Sequence, residues 1–160
     1  MKRKMMLINP HNPGRCGEES ITVIVQMPLN LAYIAALTPG DWEFDVIDEN
    51  IDLAMNNNGE ITFAPVDLVC ITAVTYQSPR AYKIATACRK RGMPVIMGGI
   101  HTSVMTEEAV NYADAVFVGG ALMNNFFKEA GVDIGKSVYE KKNFSDSSRN
   151  FTTLGYGYFP

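Results

Sequence analysis

The stretch Val66–Ala121, VDLVCITAVTYQSPRAYKIATACRKRGMPVIMGGIHTSVMTEEAVNYADAVFVGGA, decides the fold. Its three apolar runs, DLVCITA, PVIMGGI and DAVFVGGA, are continuous rather than alternating and rich in Val and Ile. Strands buried on both faces of a parallel sheet read this way, so helices are expected on both sides. Between the first two runs, Ser78-Pro79 predicts an N-cap with Pro at the first helical position. Ala81, Ile84, Ala85 and Cys88 then form an i, i+3, i+4, i+7 stripe, with Arg80, Lys83, Arg89, Lys90 and Arg91 largely off it. Gly92 supplies a left-handed stop, Pro94 opens the next strand, and the cationic last turn complements the helix dipole.

Working outward, Lys4–Asn9 (KMMLIN) reads as a first strand, ended by a loop that Pro10, Asn12, Pro13, Gly14 and Gly17 enforce. Ile21–Gln26 is β-branched but reads as an extended excursion outside the sheet. A helix runs from Pro28 to about Leu37 and stops at Pro39-Gly40. Leu29, Leu31, Ala32, Ile34, Ala35 and Ala36 leave it almost no polar face, so something else must cover it. Phe44–Asn50 is a second strand, and Ile51–Gly59 reads as a short helix fraying into the Asn56-Asn57-Asn58-Gly59 turn. A last helix is expected from about Leu122 to Ala130. From Val132 the period is lost, which divides the chain into a domain over 1–131 and a tail or linker over 132–160. Strict β/α alternation implies right-handed crossovers and an α/β, flavodoxin-like three-layer sandwich, its five-stranded parallel sheet in the order 2-1-3-4-5. Ligands of such sheets bind at the carboxyl ends of the strands. The candidate site is therefore the loops Asn9–Gly17, Thr72–Ser78, Gly98–Ser103 and Gly119–Ala121.

Composition narrows the function. The chain of 160 residues carries a formal charge of −3 with 19% charged residues and no basic block, which disfavours nucleic acid and anionic membrane surfaces as partners. The apolar stretch Ile21–Leu37 is interrupted by Thr22, Gln26, Pro28 and Asn30, short of the ~20 residues a bilayer span needs. MKRKMMLIN is cut at Asn9-Pro10, too early for a signal peptide, so a cytoplasmic location is expected. Cys16, Cys70 and Cys88 show no ligand spacing and read as reduced thiols, the last two as small core residues and Cys16 as exposed. Neither G-x-G-x-x-G nor G-x-x-x-x-G-K-[ST] follows the first strand, which disfavours a phosphate-cradling nucleotide site. Asn9 stands where a phosphoacceptor domain would need paired acids.

Gly98-Gly99 and Gly119-Gly120 place Cβ-free pairs at one sheet edge, where a backbone can approach a flat or bulky ligand. Together with MLINP ending at Pro10, PLNLAYIAAL from Pro28, VIDENI from Val46, and the long block from Asp67 to Gly120, they carry a resemblance covering nearly the whole chain to that point. The chain resembles the cobalamin-binding domain at the N-terminus of radical SAM enzymes. The resemblance implies that the nucleotide tail of cobalamin runs beside the third, fourth and fifth strands, where Thr72, Thr75, Gly98 and Gly99 match the tail-contacting positions. The implied cofactor contacts are Asn9, Pro10, His11, Thr72, Ala73, Val74, Thr75, Tyr76, Gly98, Gly99, His101, Gly119 and Gly120.

Two departures qualify what is carried over. The family's Gly-Glu-x-Glu after the fifth strand is replaced by Gly119, Gly120, Ala121 and Leu122, and the C-x-x-x-C-x-x-C cluster motif is absent. The resemblance thus implies a chain that is non-catalytic alone. S-adenosylmethionine and a 4Fe-4S cluster would belong to a radical SAM catalytic domain of methyltransferase or cyclase type, in cis or in trans. The alternative, favoured by the lost acids, is a cofactor-free interaction domain of the same fold.

Asn9-x-His11-x-x-Gly14 nearly reproduces the Asp-x-His-x-x-Gly loop with which methionine-synthase-like and mutase domains ligate cobalt. There the Asp orients the imidazole, and Asn cannot supply its charge. Pro10 and Pro13 also stiffen the loop around His11. The sequence therefore assigns no metal ligand and predicts base-off cobalamin without histidine, His11 being the one candidate cobalt ligand. His101 is expected to line the corrin face or cap the helix that follows it. Glu107 and Glu108 are expected to complement that helix's dipole.

Overall fold

Each continuous apolar run becomes a strand of one parallel sheet. The computed structural model describes residues 2–11 and 28–119, with Lys128, Gly131 and Asp133 as isolated further positions. In chain order the elements are β1 (Arg3–Asn9), α1 (Leu29–Leu37), β2 (Trp42–Asp48), β3 (Leu68–Thr72), a 3-10 turn (Thr75–Gln77), α2 (Ser78–Lys90), β4 (Val95–Gly98), α3 (Ile100–Val104), α4 (Thr106–Ala109) and β5 (Ala115–Val116). The five strands are all parallel in the order β2-β1-β3-β4-β5, as the alternation predicts. Contacts divide the chain into units 1–118 and 119–160, and the description below concerns the first. In the second, Lys128 is helical and Gly131, at φ +76°, donates its N–H to the Lys128 carbonyl at 3.1 Å. The expectations for Cys16, for the rest of the loop 12–17, for Ile21–Gln26, for Gly120, for most of the last helix and for the tail fall outside the described residues.

The two faces of the sheet are filled unequally. On one, Met6, Ile8, Val69, Ile71, Val95, Met97 and Val116 meet the α2 stripe, where Ala81, Ile84, Ala85 and Cys88 have no exposed surface. This is the large core. The opposite face gathers Met5, Leu7 and Leu31, with Ala35, Trp42, Phe44, Leu68 and Cys70 partly buried beside them. Alternation along each strand produces this split, since successive side chains point to opposite faces. Of α1, Leu31 is buried, while Leu29, Tyr33, Ile34 and Leu37 are exposed, so the apolar face predicted for that helix lies open.

Local chemistry corrects three boundaries. Ser78 is not the N-cap: it is the first residue of α2, its Oγ donates to the Thr75 carbonyl at 2.9 Å, and Gln77 precedes the helix. The 3-10 turn advances the helix start by offering that carbonyl. Residues 51–59 form turns, with one antiparallel bridge pairing Met55 and Ile61, rather than a short helix. Side chains occupy the amides a helix would use. Glu49 takes the Ala54 N–H at 3.0 Å, and Asn56 Oδ1 takes those of Asn58 and Glu60 at 3.0 and 2.9 Å. The helix expected after the fourth strand is broken at Met105 into α3 and α4, and Glu107 and Glu108 lie in the first turn of α4. The C-terminal end of α2 is as predicted, with Arg89 and Lys90 in its last turn and Gly92 at φ +77°.

Candidate functional site

The strand ends present two differently built regions at one edge. Around the end of β1, a buried polar network ties the loops together. Gln77 lies on the 3-10 turn and is 7% exposed; its Nε2 donates to Asn9 Oδ1 at 3.2 Å and to the Pro10 carbonyl at 2.5 Å. Its Oε1 accepts the Val74 N–H at 3.0 Å, so one side chain joins the loops after β1 and β3. Asn9 Nδ2 donates to Asp48 Oδ1 at 3.0 Å, joining the ends of β1 and β2.

Beside this lies Glu49, one residue past β2, with its side chain fully buried. Arg80 reaches it from the first turn of α2, Nε to Oε2 at 2.8 Å and Nη2 to Oε1 at 2.7 Å, and also bonds the Met55 carbonyl. His11 donates its backbone N–H to Glu49 Oε2 at 3.2 Å, and its Nδ1 lies 2.9 Å from the same oxygen. Burial alone would raise the Glu49 carboxyl, but hydrogen bonds and charge from Arg80, with the bonds from His11, outweigh it and hold it below the ordinary carboxylate range.

At the ends of β3 and β4 the residues are small and the surface is apolar. Thr72 is half-buried, and its Oγ1 accepts from Asn30 Nδ2 of α1 at 2.6 Å. It pairs in register with Gly98. A Cβ on Gly98 would meet only Phe117 within 4 Å, its Cβ at 3.5 Å and its carbonyl oxygen at 3.9 Å, so a small side chain could be accommodated there. Gly99 differs. At φ +104°, a Cβ there would lie 2.6 Å from the Ala73 carbonyl and 2.8 Å from the Ala73 nitrogen, so close packing on β3 requires this glycine. Tyr76, Ile100, Val104 and Phe117 stand exposed on the connections around these strand ends.

Sequence-predicted residues thus separate by role. Asn9, Pro10 and His11 come together with Glu49 and Gln77, whereas Thr72, Ala73, Gly98 and Gly99 form the small-residue region. Val74 is half-buried, and Thr75 and Tyr76 are exposed beside it. Gly119 opens the second unit. His101 is turned inward, 3% exposed, its Nε2 2.8 Å from the hydroxyl of Tyr82, which stacks on Tyr112. Burial first, then the Glu108 carboxylate, push the Tyr82 phenol above its ordinary range, so it stays protonated. His101 Nδ1 is buried with no hydrogen-bond partner among the described residues. Among those residues, no group of three or more His, Cys, Asp and Glu side chains is placed to hold a metal ion. No described helix is long and apolar enough to cross a membrane.

Sequence reasoning did not single out Glu49, Arg80 or Asn30, and it reached Gln77 only as part of the candidate loop Thr72–Ser78. Glu49 carried a usable signal, an acid directly after a strand whose carboxyl end the topology places at the site. Arg80 reads only as lying off the apolar stripe of its helix, and Asn30 only as interrupting an apolar stretch.

Comparison with known proteins gives similarity to two methyltransferases and to a kinase. The chain is 34% identical over 116 residues to the bacteriochlorophyllide d C-8(2)-methyltransferase of Chlorobaculum tepidum, covering 71% of this chain and 25% of that protein. It is 28% identical over 146 residues to the bacteriochlorophyllide d C-12(1)-methyltransferase of the same organism, covering 89% of this chain and 30% of that protein. A phosphoglycerate kinase of Wigglesworthia glossinidia brevipalpis is 32% identical over 93 residues, 56% of this chain and 23% of the kinase. The chain therefore spans less than a third of the length of each of these relatives. No family model matches it, and no solved structure does.

Proposed function

We propose that this chain is the cobalamin-binding part of a radical SAM methyltransferase that acts on carbon, and that the cofactor lies over the carboxyl edge of the sheet. The observation that carries the reading is the environment of Gly98, where a Cβ would meet only Phe117 within 4 Å, in register with Thr72 and flanked by exposed Ile100, Val104 and Phe117. A soluble domain gains nothing in stability from exposing those side chains, whereas a large, partly apolar ring system would cover them. The residues present fit such a group. Gly98 leaves room for it, the Thr72 hydroxyl can bond its tail, and the ionised Glu49 beside His11 suits a metal-bearing ligand. When bound, the cofactor would supply a cobalt centre that carries the methyl group.

The roles left to this chain are binding, orientation and exclusion of water. The carbon positions in the names of the two Chlorobaculum relatives support methyl transfer to carbon. On this reading S-adenosylmethionine and the 4Fe-4S cluster belong to a catalytic domain in cis or in trans. The open apolar side of α1, with Leu29, Tyr33 and Leu37 exposed, is a surface such a domain could cover, and it also favours the second reading, a cofactor-free interaction domain.

Titration of the chain with hydroxocobalamin, followed by visible spectrum and calorimetry, separates the two. Saturable binding is expected, at least about tenfold weaker in Gly98→Val, the loss of roughly one methylene-sized fit per added group. Absence of saturable binding overturns the cobalamin reading and leaves the interaction domain.

A further inference from the structure

We infer that Glu49 is a positioning residue which replaces the acid missing at residue 9, holding His11 so that its Nε2 meets the metal of the cofactor as an axial ligand. The inference rests on the cobalamin reading above. Of the two sequence arguments against His11, the missing charge at Asn9 and the stiffening by Pro10 and Pro13, the structure answers the first by bringing a carboxylate from the residue that follows β2. Asn9 is occupied elsewhere, its Nδ2 on Asp48 at 3.0 Å and its Oδ1 on Gln77 at 3.2 Å. Glu49 Oε2 instead holds His11 at two points, the backbone N–H at 3.2 Å and Nδ1 at 2.9 Å. Ring and backbone are thus fixed to one atom, which limits rotation of the imidazole.

Glu49 is itself immobilised. Arg80 grips both carboxylate oxygens, and the Ala54 N–H binds Oε1 at 3.0 Å. With both Glu49 oxygens taken up as acceptors by Arg80 and Ala54, His11 Nδ1 is the donor of the 2.9 Å contact, which in the neutral ring leaves the lone pair on Nε2. That is the tautomer a metal ligand needs, with the second nitrogen bonded to a carboxylate as metal-binding histidines commonly are. The His11 side chain is 12% exposed, and its Nε2 makes no hydrogen bond among the described residues. Preorganisation of this kind lowers the ordering cost of ligation.

The test labels the histidines of the whole chain with ¹⁵N. In the metal-free protein at pH 8, nitrogen shifts should show His11 as the Nδ1–H tautomer, with a mixture of tautomers in Glu49→Gln. An Nε2–H tautomer in the wild type overturns the inference without any cofactor being involved. The labelled chain is then loaded with cob(II)alamin and examined by electron paramagnetic resonance. Axial ligation by His11 splits each cobalt line into a doublet from ¹⁵N, absent in His11→Ala. A triplet unaffected by the label means that the cofactor's own base is the ligand, and unsplit lines mean water. Either overturns the inference while the cobalamin reading stands. Failure to bind cobalamin at all overturns both. Should Glu49→Gln not fold, the labelled wild-type chain decides alone.

Discussion

The two halves of the carboxyl edge obey opposite rules. Around β1 and β2, buried polar groups are paired nearly to completion, Glu49 with Arg80, His11 and Ala54, and Gln77 with Asn9, Pro10 and Val74. Around β3, β4 and β5, the backbone is brought close through Gly99, a Cβ at Gly98 would meet only Phe117, and large apolar side chains face outward. A surface that is rigid and polar on one side and bare and apolar on the other fits a ligand with a polar centre and a broad hydrophobic body. The first half resists change through hydrogen bonds already made. The second is held by shape, and its adjacent glycines separate shape needed for folding from space kept for a ligand.

Substitutions can break that comparison in order of effect. Gly99→Val should be the most damaging, since a Cβ at 2.6 Å from a backbone carbonyl and φ of +104° combine overpacking and strain, each about 1–3 kcal/mol. Urea denaturation should show the loss, while Gly98→Ala, whose Cβ meets Phe117 at an ordinary 3.5 Å, should unfold as the wild type does. Glu49→Ala follows, at about 3–5 kcal/mol, because it leaves Arg80 as an unpaired buried charge.

The Glu49 contribution also depends on pH in a defined direction. Its folded carboxyl is held below the unfolded value of about 4.3, so the stabilisation is complete above that value and is lost as pH falls through the lower folded value. The stability gap between wild type and Glu49→Gln should therefore narrow in acid, as read from denaturation midpoints below about pH 4. A gap that widened there would refute the assignment of charge to this side chain.

Gln77→Leu should cost about 1–3 kcal/mol by leaving Asn9 Oδ1 and the Val74 N–H without their partner, and hydrogen exchange should speed at Val74. Phe117→Ser should have the smallest effect on folding, within about 0.5 kcal/mol, because its side chain is already 69% exposed. If the apolar half is a ligand bed, that same change should weaken hydroxocobalamin binding in the titration.

What the sequence made legible was periodic. Continuous Val- and Ile-rich runs and the Ala81, Ile84, Ala85, Cys88 stripe repeat over many residues, so the sheet order and the buried face of α2 followed from them. What it concealed was non-local or competitive. Residues 51–59 satisfy a helical composition, yet Glu49 and Asn56 take the amides a helix would use, and only tertiary placement shows it. The link between His11 and Glu49 spans 38 positions and leaves no local spacing to read. Gly98 and Gly99 are adjacent and identical in sequence, and only the approach of Ala73 distinguishes them. His101, expected to line the corrin face or cap the helix that follows it, has its Nε2 bonded to the Tyr82 hydroxyl of α2, a contact 19 positions away that no local spacing shows.

Burial pushes the Cys70 thiol up to about 11 and, opposed only weakly by Arg91, that of Cys88 up to about 12. At neutral pH only about one Cys70 in ten thousand is then a thiolate, and fewer still of Cys88. The thiolate is the form that attacks electrophilic carbon. Sheet and helix thus act as insulation. Alkylating reagents applied to the folded chain should therefore spare both thiols until the sheet itself opens.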